Sequence, residues 1–279
     1  MARLWKSVWT VTWKTAVIMV LWGALLPPVT ILFYRNQSTG STPPLQERLV
    51  LEVAAGISIV LATWVMVRWV DRRPWNTSGL AFVRVSSDGL AGLGIGAGMM
   101  AVSLALFAAA GCVQVQPGIE VDGSSLLVSG IALAFNSVMQ EVFVRGYFFQ
   151  TIRSQSGPGF ALVFTSIVFV LLHRGTGSVL SNANLFLAGV VFGIGYLRTG
   201  NLWLPIGLHF AWNFILGPLL GMTVSGQSID CGWRMLVLRG PVWITGGTFG
   251  MEGGLAATAA MLGGIVFLNR WFRRRSVRP

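Results

Sequence analysis

Long apolar runs, each near the twenty residues needed to cross about 30 Å of hydrocarbon, alternate with short polar segments along the chain. They predict eight membrane-spanning helices, near residues 16–33, 50–69, 89–111, 125–150, 158–173, 180–198, 201–220 and 255–271. Pro27-Pro28 falls inside the first run and must bend or end it, because proline lacks the backbone donor and its ring clashes with the preceding turn. The third run opens with Gly92, Gly94, Gly96 and Gly98, two overlapping G-x-x-x-G pairs. No strand precedes them and the spacing is not that of a phosphate loop, so the glycines predict close helix packing in lipid.

Composition agrees with the pattern. With 54% apolar and 10% charged residues and a mean hydropathy of +0.69, the expected fold is all-α: one transmembrane domain over residues 1–279, a helix bundle enclosing a polar intramembrane cavity. The formal charge of +11 would suggest a nucleic-acid partner in a soluble protein. Here the basic residues cluster between apolar runs, so they mark the cytoplasmic side and exclude that reading. The expected setting is the plasma membrane, with lipid as neighbour and both termini cytoplasmic.

Trp5, Trp9 and Trp13 stand four apart among Lys6 and Lys14, a stripe suited to a membrane interface, and the run that follows reads as an uncleaved first span. Cys112 and Cys231 both fall on the outer side in this topology. They form either a disulfide or two free thiols, and two cysteines make no metal site by spacing.

The fourth run is interrupted by Gln140-Glu141-Val142-Phe143-Val144-Arg145-Gly146. A charged group at mid-bilayer costs at least roughly 2.5 to 3.5 kcal/mol, so such residues mark function. On a helix Glu141 and Arg145, at i and i+4, share a face and pair, while Gln140 points about 100° away. The only two histidines also lie in spans: His173 ends the fifth, and His209 precedes Asn213 by four in the seventh.

Two imidazoles and a carboxylate are the ligand set for a catalytic zinc with an open water position, and equally a set for activating water without metal. An asparagine amide can donate to an oxyanion. Both schemes lead to hydrolysis of an acyl bond such as a peptide. The H-E-x-x-H signature is absent, and Asp71, Asp88, Asp122 and Asp230 sit in loops or at span ends, against a buried aspartyl dyad. Ser137 and Ser166 leave a serine nucleophile open.

The three segments Q-E-V-F-V-R-G, F-V-L-L-H and H-F-A-W-N, in that order, resemble the E-E-x-x-x-R, F-x-x-x-H and H-x-x-x-N/D motifs of the CAAX protease and bacteriocin-processing family of intramembrane peptidases. The lead-in Leu197 to Ile206 is similar too, and the resemblance covers a core over 125–220. It implies an eight-helix bundle, a protein or peptide substrate, water activation by Glu141 and His173, an oxyanion held by His209 and Asn213, and Arg145 orienting the carboxylate. Some family members are described as metallopeptidases, which would make Glu141, His173 and His209 ligands of zinc or another divalent ion. Gln140 departs from the motif's first glutamate, and an amide cannot take a proton at neutral pH. Either Glu141 does the work, with Gln140 holding the water, or the chain is a silent relative that binds a peptide or partner.

Overall fold

The computed structural model describes residues 2–26, 44–116, 123–173, 178–227 and 236–276. It is a polytopic helix bundle. The first helix, α1 (Ala2–Leu25), ends just before Pro27, the neighbour that disfavours helical backbone at the residue preceding it. Pro27-Pro28 themselves lie outside the described residues. Helix α2 (Leu45–Val65) runs on into a π-turn at Met66–Val70, and α3 spans Val85–Ala109. A single long rod follows: α4 (Gly123–Glu141), a π-helical stretch at Val142–Phe148, and α5 (Phe149–Ser156).

Helix α6 (Pro158–Leu172) starts with proline in its first turn, where the missing N–H costs nothing. Helix α7 (Val179–Thr199) is opened by a Ser178–Ser181 capping box, α8 (Trp203–Phe214) ends in a π-turn at Ile215–Leu219 containing Pro218, and α10 (Leu255–Ser276) closes the chain. Between α8 and α10 lies the four-residue α9 (Val242–Thr245), and a short pairing sets β1 (Val113–Val115) antiparallel to β2 (Leu236–Leu238).

Each of the eight apolar runs therefore carries a helix among its described residues. Among the described residues, six helices are long and apolar enough to cross a membrane: Trp5–Leu25, Leu45–Val70, Val85–Ala109, Gly123–Ser156, Val179–Thr199 and Leu255–Phe272. The other two expected spans are shorter, 15 residues in α6 and 12 in α8 before its π-turn.

Helix α8 lies at the centre, packed most extensively on α3. The approach is close because the facing positions lack side chains. A Cβ added at Gly92 would sit 2.2 Å from the Leu204 carbonyl oxygen, and one at Gly96 would sit 2.6 Å from that of Leu208. Gly94 and Gly98 meet nothing within 4 Å, so only one of the two G-x-x-x-G pairs makes this interface.

The lead-in to α8 also has a local reason. Gly200 takes the left-handed conformation that ends α7, Asn201 Oδ1 accepts from the Trp203 amide, and Asn201 Nδ2 donates to Asp88 Oδ2 at 2.6 Å, fastening the turn to α3. Lys14 on α1 pairs with Asp71 after α2, which also accepts from Arg73, while Trp5 and Trp9 remain exposed as the interfacial stripe requires.

Residues 221–227 and 236–254 fold back over one end of the bundle. Glu252 ties them down: Oε1 accepts from Trp212 Nε1 at 2.8 Å, and Oε2 accepts from the amide and hydroxyl of Ser225. Gly250, at φ +89°, leaves no room for a side chain, since a Cβ there would meet Thr223 Oγ1 at 2.1 Å. These described residues form a packed cap. Cys112 is buried beside it, and Cys231, its partner in one of the two cysteine alternatives, lies outside the described residues.

Candidate active site

Glu141 is the last α-helical residue before the π-stretch, and Arg145 lies within it, a local rewinding that often accompanies functional positions. Both side chains have no exposed surface. Arg145 Nη1 donates to Glu141 Oε1 at 3.0 Å, and Nη2 donates to the Gly189 carbonyl at 3.1 Å. The guanidinium lies over two rings, 4.6 Å from the centroid of Phe169 and 5.2 Å from that of Phe192. Such faces compensate a buried cation.

His209 Nδ1 sits 3.0 Å from the same Glu141 oxygen, and its ring stacks on Phe192 at 4.7 Å. Because a carboxylate only accepts, the proton in that contact belongs to His209 Nδ1. Glu141, Arg145 and His209 thus form one buried cluster from α4, its π-extension and α8, with Glu141 Oε2 and Arg145 Nε unpaired.

A cavity of about 670 Å³ opens beside this cluster. Gln140, His173 and Asn213 line it, together with Glu52, Asn136 and Arg48, the cap residues Ser225 and Gln227, and apolar neighbours including Trp22 and Phe143. Glu141, Arg145 and His209 are not among its lining residues. The separation follows from helix geometry. Asn213 is one turn along α8 from His209, about 6 Å, and Gln140 is turned about 100° from Glu141. The six residues singled out from sequence therefore divide into two layers: Gln140, His173 and Asn213 on the cavity, and Glu141, Arg145 and His209 buried behind it.

His173 follows the end of α6, where its Nδ1 lies 2.8 Å from the Phe169 carbonyl oxygen. A carbonyl cannot donate, so Nδ1 carries the proton and Nε2 is the basic nitrogen. The Phe169 ring lies 4.5 Å from His173 and 6.0 Å from His209, a shared wall that holds both imidazoles. Neither Ser137 nor Ser166 has a hydrogen bond to histidine: Ser166 Oγ donates to the Leu162 carbonyl, and Ser137 Oγ is buried without a partner.

Sequence reasoning missed Glu52, Asn136 and Glu252. Asn136 Nδ2 donates to Glu52 Oε2 at 2.9 Å, and Gln140 Nε2 donates to Asn136 Oδ1 at 2.8 Å, a chain from α2 to α4. The signal for Asn136 was present, since it stands one turn before Gln140. Glu52 stood near a span end, where a carboxylate attracts no notice.

Residues 122–215 match the family model described as type II CAAX prenyl endopeptidase Rce1-like. Over that stretch the chain is similar to the CAAX protease family. The matched stretch is about a third of the chain and contains Gln140, Glu141, Arg145, His173, His209 and Asn213. No curated protein and no solved structure matches it. Six helices among the described residues are apolar enough to span a membrane, as an integral membrane protein requires, and the similarity is to a family of prenyl endopeptidases.

The metal scheme requires Glu141, His173 and His209 to converge. Glu141 Oε1 is shared by Arg145 and His209 Nδ1, and Glu141 and His209 lie behind the cavity that His173 lines. Among the described residues no group of three His, Cys, Asp or Glu side chains could hold an ion. This arrangement lends the metal scheme no support.

Proposed function

We propose that the protein is an intramembrane endopeptidase that hydrolyses a peptide bond of a membrane-associated protein or peptide, working from the cavity lined by Gln140, His173 and Asn213. The observation that carries this reading is the meeting of His173 and Asn213, from two separate motifs, on one cavity. The description of the matched family points to substrates with prenylated C-termini.

In this mechanism His173 Nε2 takes a proton from water, whose oxygen attacks the carbonyl carbon of the scissile bond. The Asn213 amide donates to the oxyanion that forms. The His173 imidazolium then gives its proton to the departing amine nitrogen, the C–N bond breaks, and the imidazole is neutral again. The anchored Nδ1–H aims the ring, and the buried Glu141–Arg145–His209 cluster is the frame on which the cavity wall rests. Glu141, the water-activating residue expected from the motif, becomes a positioning residue, because a carboxylate with no exposed surface and two partners on one oxygen cannot reach a substrate's water without rearrangement.

The test is cleavage of a peptide library, prenylated and unmodified, by purified protein in lipid vesicles. Losing a general base lowers the rate about 10²–10⁴-fold, and losing one oxyanion donor about 10²–10³-fold, so His173→Ala and Asn213→Ala should fall in those ranges while remaining folded. The reading fails if folded parent protein cleaves nothing, or if both variants cleave as fast as the parent. Gln140 favours one rival in particular, a silent binder, for which the parent would bind peptide without turnover.

A further inference from the structure

The family motif places a glutamate where this chain has Gln140, yet the cavity does not lack a carboxylate. Glu52, on a different helix, lines the same cavity and reaches position 140 through two hydrogen bonds. The direction of that chain is fixed by its far end. A carboxylate has no donor, so Asn136 must turn its NH₂ group to Glu52 and its carbonyl oxygen to Gln140. Gln140 must then turn its own NH₂ to Asn136, which fixes Oε1, an acceptor only, on the other side of the amide beside the second N–H. An amide whose two ends look alike is thereby oriented by a charge two residues away in the network.

We propose that Glu52 is a positioning residue of the hydrolytic site: acting through Asn136, it locks the Gln140 side chain so that Oε1 accepts a hydrogen bond from the attacking water. The arrangement restores half of what a glutamate does. Gln140 can hold and aim the water through an accepting oxygen, and the proton goes to His173. The inference rests on the peptidase reading above, but the hydrogen-bond lock on Gln140 is a property of the folded protein and is open to measurement without turnover.

With glutamine at position 52 the far end gains a donor. The chain can then run in either direction, and Gln140 can present NH₂, which repels a donated water proton. Glu52→Gln should lower kcat by at least tenfold, with KM changed less than twofold and the unfolding midpoint unchanged. The exchanged pair Glu52→Gln with Gln140→Glu keeps both hydrogen bonds, since the carboxylate at position 140 accepts from Asn136 and the amide at position 52 donates to it. That double variant should recover parental kcat or exceed it, a rescue that a merely structural role for Glu52 does not produce. Unchanged kcat in Glu52→Gln, or no recovery in the double variant, overturns the proposal.

A second readout is independent of cleavage. In protein labelled with ¹⁵N-glutamine, the side-chain amide signal of Gln140, assigned by its loss in Gln140→Glu, should be shifted and slow to exchange in the parent and move toward the solvent-exposed position in Glu52→Gln. An unmoved signal overturns the lock even in an active enzyme. A moved signal in a protein that cleaves nothing upholds the lock and sinks the peptidase reading alone.

Discussion

Replacing Arg145 with methionine isolates what the buried ion pair contributes. The two charges are 3.0 Å apart with no exposed surface. At an effective dielectric of about 20 the pair attraction is about 5.5 kcal/mol, an upper figure because both ions have lost water. Breaking such a pair from one side typically costs about 3–5 kcal/mol. Arg145→Met should fall at the lower end, about 3 kcal/mol, because His209 still donates to the stranded Glu141 carboxylate and the thioether refills the slot between Phe169 and Phe192 with favourable ring contacts. The double variant Arg145→Met with Glu141→Gln removes both charges and should return to within about 1 kcal/mol of the parent, since a neutral replacement of a buried pair is often near neutral. Unfolding in mixed micelles titrated with a denaturing detergent, followed by tryptophan fluorescence, measures all four corners of this cycle. If Arg145→Met costs less than about 1 kcal/mol, or if the two single losses simply add in the double variant, the pair is not coupled and the frame assigned to it is wrong.

Further outcomes follow from other sites. Gly92→Ala drives a methyl toward the Leu204 carbonyl and should cost about 1–3 kcal/mol, whereas Gly94→Ala meets open space and should be neutral or gain up to about 1 kcal/mol; equal effects in the same unfolding assay would refute the packing assignment. Burial raises the Glu252 carboxyl above its ordinary 4.5, and the hydrogen bonds from Ser225 and Trp212 pull the other way without winning. Its contribution to stability is therefore full below the unfolded value and lost as pH rises through the higher folded one. Glu252→Gln should flatten that decline in a melting series from acid to neutral pH, and a parent that gains stability relative to Glu252→Gln over the same rise would contradict the sign. Chelator should leave peptide cleavage unchanged, and elemental analysis of protein purified without chelator should find no ion that His173→Ala removes; stoichiometric zinc lost on that substitution would reinstate the metal scheme.

The eight apolar runs led to eight helices because hydropathy over some twenty residues integrates many weak signals. It could not show that α6 and α8 are too short to span alone, since the residues that end them, His173 and the π-turn after Phe214, do so through local backbone geometry. The glycine stripe was legible as packing, but choosing Gly92 and Gly96 over Gly94 and Gly98 required knowing which face meets α8. At the site, spacing identified Glu141 with Arg145 as a pair and His209 with Asn213 as neighbours. What spacing within single helices could not give was depth relative to the cavity, which separates Asn213 from His209 although they share a face.

The same limit explains why Gln140 looked like a loss. A motif read along one helix counts only the carboxylates of that helix, and by that count position 140 is deficient. Across the bundle, α2 lies against α4, so Glu52 can serve the cavity without any signature near residue 140. Two carboxylates on one short network would repel each other, and Asn136 could not satisfy both without turning its carbonyl away from either. With Glu52 in place, an amide at position 140 is the side chain that completes the network, each hydrogen bond along it running from a donor to an acceptor. The substitution and the distant glutamate are therefore best understood as one arrangement, in which the charge has moved to α2 and the accepting oxygen has stayed on α4.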